Sequence, residues 1–239
     1  MLAALPFPAL SGTPEGGVTL QLDSSADVDR IKAQLQVLDP LQQPVLLEAP
    51  AHAVEGLGGQ RFELLIGRNL LQGANQQVLA EWVTQLETLL YGGAEIHLMS
   101  SQPNAGPAAL MDSDQSDLIQ AEQHWLAERQ TLERLQKLLT AADWSVTTEE
   151  WTDQVSLQVD ATLITRWFAT QATYRRAMQG QLDDSALITR WFAKQATYRQ
   201  AMQGQLGDRA ITALKASYQK RIGTKLRQTI SHQHLVARR

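Results

Sequence analysis

Chemistry in this chain must come from hydroxyls, carboxylates, imidazoles and cationic side chains, because its 239 residues include no cysteine. That absence excludes a disulfide framework, a thiolate nucleophile and any thiolate metal site, and it fits a reducing, cytoplasmic setting. The first group able to hold a ligand is Asp23 with Ser24, which closes the apolar run "GVTLQL". A carboxylate has two acceptor oxygens, enough for a pair of ribose hydroxyls. Glu48 and Ala49 close a second apolar run, "PVLLEAP", and Gly67, Arg68 and Asn69 close a third, "RFELLIGRNLL". In an open parallel sheet, ligands bind beyond the carboxyl ends of the strands, so these are the positions to watch. Each also has a local use. Asp23, Ser24 and Ser25 suit a helix N-cap, and residues 67–69 suit a turn.

Other chemistries lack their partners. "RIGTK" has neither the earlier glycine nor the Lys–Ser/Thr order of a triphosphate loop, and the glycines of "EGLGGQ" precede a strand instead of following one. His232 and His234 alternate and share a face in a strand, but no third metal ligand stands at sensible spacing, so they read as edge-strand surface residues. His97, in an apolar strand, reads as a satisfied core residue. No Ser/His/Asp set shows a nucleophile elbow. No catalytic set and no metal site is expected. Two Arg-aromatic pairs, Arg166–Trp167 and Arg190–Trp191, could stack on bases and contact phosphate. The same aromatics, with Phe168, Tyr174, Phe192 and Tyr198, are also what a helix uses to pack on a sheet, and that reading is favoured.

These residues need elements to position them. "GVTLQL" follows the turn signal "PEGG" and reads as a strand. "SADVDRIKAQLQVL" follows as a helix capped at Ser25, with Val28, Ile31, Leu35 and Leu38 on one face. "PVLLEAP" reads as a short buried strand and "RFELLIGRNLL" as another. "NQQVLAEWVTQLETLL" reads as a helix with Val78, Trp82, Leu86 and Leu89 at helical spacing. "YGGAEIHLMS" gives a glycine stop and a strand over residues 95–99. A single long helix is expected from Asp114 to about Leu139, then a strand in "WSVTTEEW". The last run, "SHQHLVARR", could close a sheet edge. Strands alternating with helices at this pace imply an α/β fold with a mostly parallel sheet.

The chain then repeats itself. "DATLITRWFATQATYRRAMQGQLD" begins at Asp160 and "DSALITRWFAKQATYRQAMQGQLG" at Asp184. Each copy starts on a capping aspartate and reaches a glycine at Gly180 or Gly204, so each reads as one helix of about five turns. A third start, "DRAITALKASYQKRIG", has a capping Asp208 and a stop at Gly223. Two copies are too few for a solenoid. One is expected to pack on the sheet and the other to be extruded or to add a helical hairpin. Charge divides along the same line. Residues 1–159 carry 7 basic and 21 acidic side chains, net −14, while residues 160–239 carry 14 and 4, net +10. A basic region of this kind can contact nucleic acid, an acidic partner or the chain's own acidic front. The apolar start "MLAALPFPALSG" is short, broken by Pro6 and Pro8 and without a basic lead, so it reads as neither signal nor anchor, and no membrane association is expected.

The segments "PEGGVTLQLDSSADVDRIKAQ", "PVLLEAP", "RFELLIGRNLL", "LYGGAEIHLMSSQP", "ADWSVTTEEW", "LITRWF" and "LRQTISHQHLVARR" resemble, in that order, a class I methyltransferase-like domain. More narrowly they resemble the methyltransferase-like C-terminal region of a bacterial fusion protein in which a replication-associated recombination AAA ATPase comes first. The resemblance covers about residues 14–239, with "IGRNLL" and the "RWF" segment its most specific pieces. It implies an incomplete Rossmann-like sheet of the kind that binds S-adenosylmethionine in active relatives. Asp23 and Ser24 would face the ribose, Glu48 and Ala49 the adenine, and Gly67, Arg68 and Asn69 the reaction side.

Three departures shape the expectation. The first strand and its glycine loop would lie before residue 1. "GRN" is not the Asn/Asp-Pro-Pro-Tyr/Phe motif of amino-methylating DNA enzymes. The ATPase part is absent, so ATP hydrolysis is not assigned here. The expected organisation is a methyltransferase-like core over 1–159, a helical segment over 160–223 containing the copies 160–183 and 184–207, and a closing strand over 224–239. The expected function is a non-catalytic accessory module partnered with a recombination ATPase or DNA, with S-adenosylmethionine not bound. The alternatives are an active S-adenosylmethionine-dependent methyltransferase and a nucleic-acid-binding module using Arg166, Trp167, Arg190 and Trp191.

Overall fold

A computed structural model of the chain describes residues 17–50, 52–53, 57, 59–111, 116–169, 174–175, 178 and 206–239. Its elements follow in order as β1 (Thr19–Leu22), α1 (Ser25–Leu35), β2 (Val45–Glu48), β3 (Phe62–Arg68), α2 (Gln76–Leu89), β4 (Leu90–Pro103), α3 (Ser116–Glu128), α4 (Leu132–Ala141), β5 (Ser145–Gln158), α5 (Ala161–Trp167), α6 (Leu206–Gln219) and β6 (Lys225–Arg238). The fold is α/β. β1 and β2 form a parallel two-stranded sheet, and the other four strands form a sheet in the order β3-β4-β6-β5. β3 and β4 are parallel.

The remaining pairs are antiparallel, as their cross-strand contacts show. Along β6 the partners on β4 run backwards, Asn104 with Thr229, Ser101 with His232 and Glu95 with Arg238. Gln154 with Thr229, Asp153 with His232 and Glu150 with Gln233 run the same way between β5 and β6. The sheet is therefore mixed, and the final strand sits inside it between β4 and β5. The expectation that "SHQHLVARR" closes an edge is corrected: β5 takes the edge.

Two compact units are present. The first comprises Met1–Met99, Thr131–Thr148 and Leu235–Arg239, and the second Ser100–Gln130 and Glu149–His234. The core of the first unit is almost wholly apolar. Leu79, Trp82 and Leu86 of α2 meet Ile96 and Leu98 of β4, Leu135 and Leu139 of α4, and Leu235 and Ala237 of β6. The 3.6-residue spacing along α2 and the two-residue spacing along β4 and β6 turn these side chains to one side. The core of the second unit is aromatic. Ile164, Phe168, Tyr174 and Met178 pack with Leu214 and Tyr218 of α6 and Leu226 of β6.

Several local expectations change. The cap of α1 is Ser24, whose hydroxyl accepts the Asp27 N–H at 3.2 Å, and Ser25 is the first helical residue. β2 is not buried, since Val45 is 61 % exposed. The glycines of "YGG" do not stop α2, which ends at Leu89 ahead of them. They lie inside β4, where a register shift between Phe62 and Leu64 absorbs the extra residues and Gly93 takes φ +84°. Only glycine adopts that conformation without strain, so the pair marks a bulge in place of a helix end.

The long helix expected from Asp114 divides into α3 and α4. Leu118 of α3 is buried in the aromatic core and Leu135 of α4 in the apolar one. The first repeat copy opens as expected, with Asp160 accepting the Leu163 N–H at 2.6 Å. It does not continue for five turns. Phe168 leaves helical geometry at φ −105°, ψ 10° and sets its ring 5.6 Å from that of Tyr218. Asp208 lies within the first turn of α6, which begins at Leu206. Gly223 does close the turn after α6, at φ +91° with its N–H on Val159 O. Gly180, Asp184 and Gly204 lie outside the described residues, and with them the second copy. No helix among the described residues is long and apolar enough to cross a membrane.

Candidate functional site

The strand-end residues of the first unit fall into two groups. β1 and β2 end side by side, because Leu22 pairs with Glu48 and the Ala49 N–H donates to Leu22 O at 3.0 Å. Asp23 and Glu48 are exposed there, and Ser24 and Ala49 are half-buried. The surroundings are largely occupied by the fold's own bonds. The Ser24 hydroxyl accepts from Asp27 N–H and donates to Asp27 Oδ2 at 2.8 Å. Gln21 Nε2 donates to Pro50 O at 2.5 Å and Ala53 O at 3.0 Å, tying the chain after β2 back to β1.

The second group belongs to β3. Gly67 is buried against Leu98 of β4, and a Cβ there would come within 2.9 Å of the Leu98 Cδ2. The missing side chain at Gly67 thus leaves room for Leu98. Arg68 is exposed at the end of β3. Asn69 has φ +53° and gives its N–H to Met99 O at 2.7 Å, the left-handed turn residue that its type allows. What these residues offer S-adenosylmethionine is partial. Asp23 and Glu48 present carboxylates that suit ribose hydroxyls or an adenine amine. Nothing among the described residues supplies the row of backbone amides that a methionine carboxylate needs. Among the described residues the donor set covers only part of the cofactor.

Trp167 is half-buried with its ring edge-on to Tyr218 at 5.8 Å, and Arg166 is exposed in the last turn of α5. Arg190 and Trp191 lie outside the described residues.

Sequence reasoning missed two polar clusters in the second unit. Glu122 of α3 is only 3 % exposed and accepts the Gly106 N–H at 2.9 Å and the Ala108 N–H at 2.8 Å. These amides open the 3-10 turn Pro107–Leu110, which has no side-chain cap of its own. Burial raises the Glu122 carboxyl to about 6, against the lowering effect of its bonds to Ala108, Tyr174 and Gly106. Tyr174 in turn shares a 2.9 Å hydrogen bond with Tyr218, and burial raises both phenols. A sequence signal existed: Glu122 stands four residues from Leu118 and from Leu126, both buried, so the acid interrupts an apolar stripe.

The second cluster crosses three strands. Ser101 Oγ lies 2.9 Å from His232 Nδ1, and His232 Nε2 lies 3.2 Å from Asp153 Oδ2. The His232 ring stacks on Trp151 at 5.2 Å and 13°. His232 is thus not an edge-strand surface residue: its side chain is 15 % exposed in an interior strand. The sequence shows no Ser/His/Asp set with a nucleophile elbow, yet sheet pairing assembles these three side chains. No sequence signal foretells this, because Ser101 and His232 are 131 residues apart. His97 is also not a core residue. Its side chain is 29 % exposed and its Nε2 sits 3.1 Å from Glu95 Oε2. No group of three or more metal-ligating side chains occurs among the described residues.

No protein-family model matches the chain, and no curated protein matches it. Solved structures do. A candidate methyltransferase of Bacillus halodurans is 12% identical with a TM-score of 0.49, over 96% of this chain and 86% of that one. The YcgJ protein of Bacillus subtilis is 12% identical with a TM-score of 0.48, over 98% and 87%. Mycolic acid cyclopropane synthase CmaA1, complexed with SAH and CTAB, is 12% identical with a TM-score of 0.48, over 99% and 74%. At such identities and scores these likenesses carry no conclusion about chemistry.

Proposed function

We propose that this chain is a methyltransferase-like α/β module that does not itself transfer methyl groups and that works beside a recombination-associated AAA ATPase. The observation that carries the reading is the strand order of the first unit. A doubly wound sheet runs 3-2-1-4-5-6, with ligands at the switch point beside strand 1. Here β2-β1 and β3-β4 are two parallel pairs, each joined through a helix, and no strand among the described residues pairs β1 with β3. They correspond to positions 3-2 and 4-5 of that order. No strand among the described residues fills position 1 or carries the loop that follows it. Among the described residues, the side chains at these strand ends that suit a cofactor are the two exposed acids Asp23 and Glu48.

S-adenosylmethionine supplies an electrophilic methyl group when bound, and the described residues offer no complete set to hold it. The ATPase partnership rests on the sequence resemblance alone. Ultraviolet cross-linking with radiolabelled S-adenosylmethionine tests the reading. Background labelling is expected. Specific label near residues 23 or 48, competed by excess unlabelled cofactor, overturns it in favour of an active enzyme. Gel shift against a salt series addresses the nucleic-acid alternative, since phosphate contacts make binding fall steeply with salt. With Trp167 engaged in packing, no shift is expected even at low salt.

A further inference from the structure

We propose that Ser101 is a nucleophile activated by His232, and that this cluster takes acyl groups from small activated carboxylic esters. The geometry is that of a nucleophile, a base within hydrogen-bond reach and a third group that orients the base. Ser101 of β4 and His232 of β6 are 2.9 Å apart, and Asp153 of β5 stands 3.2 Å from the other ring nitrogen. Asp153 beside Nε2 favours the tautomer with its proton there, which leaves the Nδ1 lone pair for the Ser101 hydroxyl. Nε2 and Asp153 Oδ2 are close but not aligned as a hydrogen bond. Asp153 therefore acts mainly as a charge that stabilises the imidazolium when it forms. Trp151, stacked on the ring, fixes its plane and presents a π face to the same cation. Asp153 and Trp151 are positioning residues, while Ser101 and His232 meet the substrate.

The step balances without a cofactor. Ser101 Oγ forms a bond to the ester carbonyl carbon as its proton passes to His232 Nδ1. The tetrahedral adduct collapses, the carbon–oxygen bond to the leaving alcohol breaks, and Nδ1 returns the proton to that alcohol. Water then attacks the acyl-serine by the same route and regenerates the hydroxyl. The substrate class follows from the position of Ser101. A strand directs its amides sideways along the sheet and not toward the face on which its side chains stand. The adduct oxygen thus lacks a pair of aimed amides, and only an ester with a good leaving group reacts at a useful rate.

The test is covalent labelling of the full chain with p-nitrophenyl acetate and with an alkyl fluorophosphonate, the modified residue located by peptide mass spectrometry. Label is expected on Ser101. His232→Gln is expected to slow labelling about 100-fold, the usual contribution of a general base. Asp153→Asn is expected to slow labelling, and Asp153→Glu to restore its rate. Melting curves of each variant show whether the fold is retained, and fluorophosphonate labelling of the unmodified chain reads the proposal without any variant. No label on Ser101, label spread over other hydroxyls, or a rate unchanged in a folded His232→Gln protein overturns it.

Discussion

The two units handle charge in opposite ways. In the first, the perturbed carboxylates are on the surface: Glu95 is held below its usual value by hydrogen bonds from Arg238 and His97, and Glu133 by Lys137. In the second, the perturbed carboxylate is inside, where Glu122 is raised to about 6 by burial. Among the described residues, the apolar core of the first unit holds no perturbed carboxylate, whereas the aromatic core of the second is threaded by Glu122, Tyr174 and Tyr218. A buried polar chain has value only when every member is satisfied, so the second unit is the less tolerant of small changes. The strand ends that invited a cofactor are in the first unit, and the assembled polar chemistry is in the second.

The largest effect comes from the apolar core. Trp82 is 2 % exposed, and Trp82→Ala is expected to cost about 4 kcal/mol in a denaturant titration, the range of large-to-small core changes. Next is Gly106→Ala. A Cβ at Gly106 would lie 2.5 Å from the Glu122 carboxyl carbon, so the carboxylate must move off its two amides. About 2 kcal/mol is expected, the usual cost of overpacking. A neutral result would show that the turn is looser than its bonds suggest.

The third comparison is in pH. The folded value of Glu122 lies above the ordinary 4.5, so the fold prefers the neutral acid. Its stabilising contribution is full below about pH 4.5 and is lost as pH rises through about 6. Relative to Glu122→Gln, the native chain should lose about 2 kcal/mol between those limits, since moving an acid's midpoint by one pH unit takes about 1.4 kcal/mol. A difference that stays flat with pH would contradict the buried-acid assignment. The smallest effect belongs to the surface. Arg238→Ala should raise the Glu95 carboxyl toward its ordinary value, readable by NMR titration, while the melting temperature barely moves.

The sequence made the α/β alternation legible because its apolar runs are short and its helices have clear stripes. Val28, Ile31 and Leu35 in α1 and Trp82, Leu86 and Leu89 in α2 fall on the expected faces. What it hid is what depends on distant partners. The break between α3 and α4 separates halves buried in different cores, and local helix propensity runs straight through it. The bulge at Gly93 looks like a helix stop until β3 pairs beside it. β6 enters the interior of the sheet through pairings to both β4 and β5, which its own pattern does not specify. The strand-end positions Asp23, Glu48 and Gly67–Asn69 do lie at the ends of parallel strands. Their packing and capping roles needed the neighbours Asp27, Gln21, Leu98 and Met99. The Ser101–His232–Asp153 cluster was invisible for the same reason: register, not spacing, creates it.

We propose that the strand ends of the first unit serve the fold and do not hold a methyl-donor cofactor. Calorimetric titration of the full chain with S-adenosylmethionine, repeated with Asp23→Ala, tests it directly. The expected result is heat no greater than dilution for both proteins. A micromolar dissociation constant that weakens in Asp23→Ala would contradict the claim and place a working cofactor site at the end of β1.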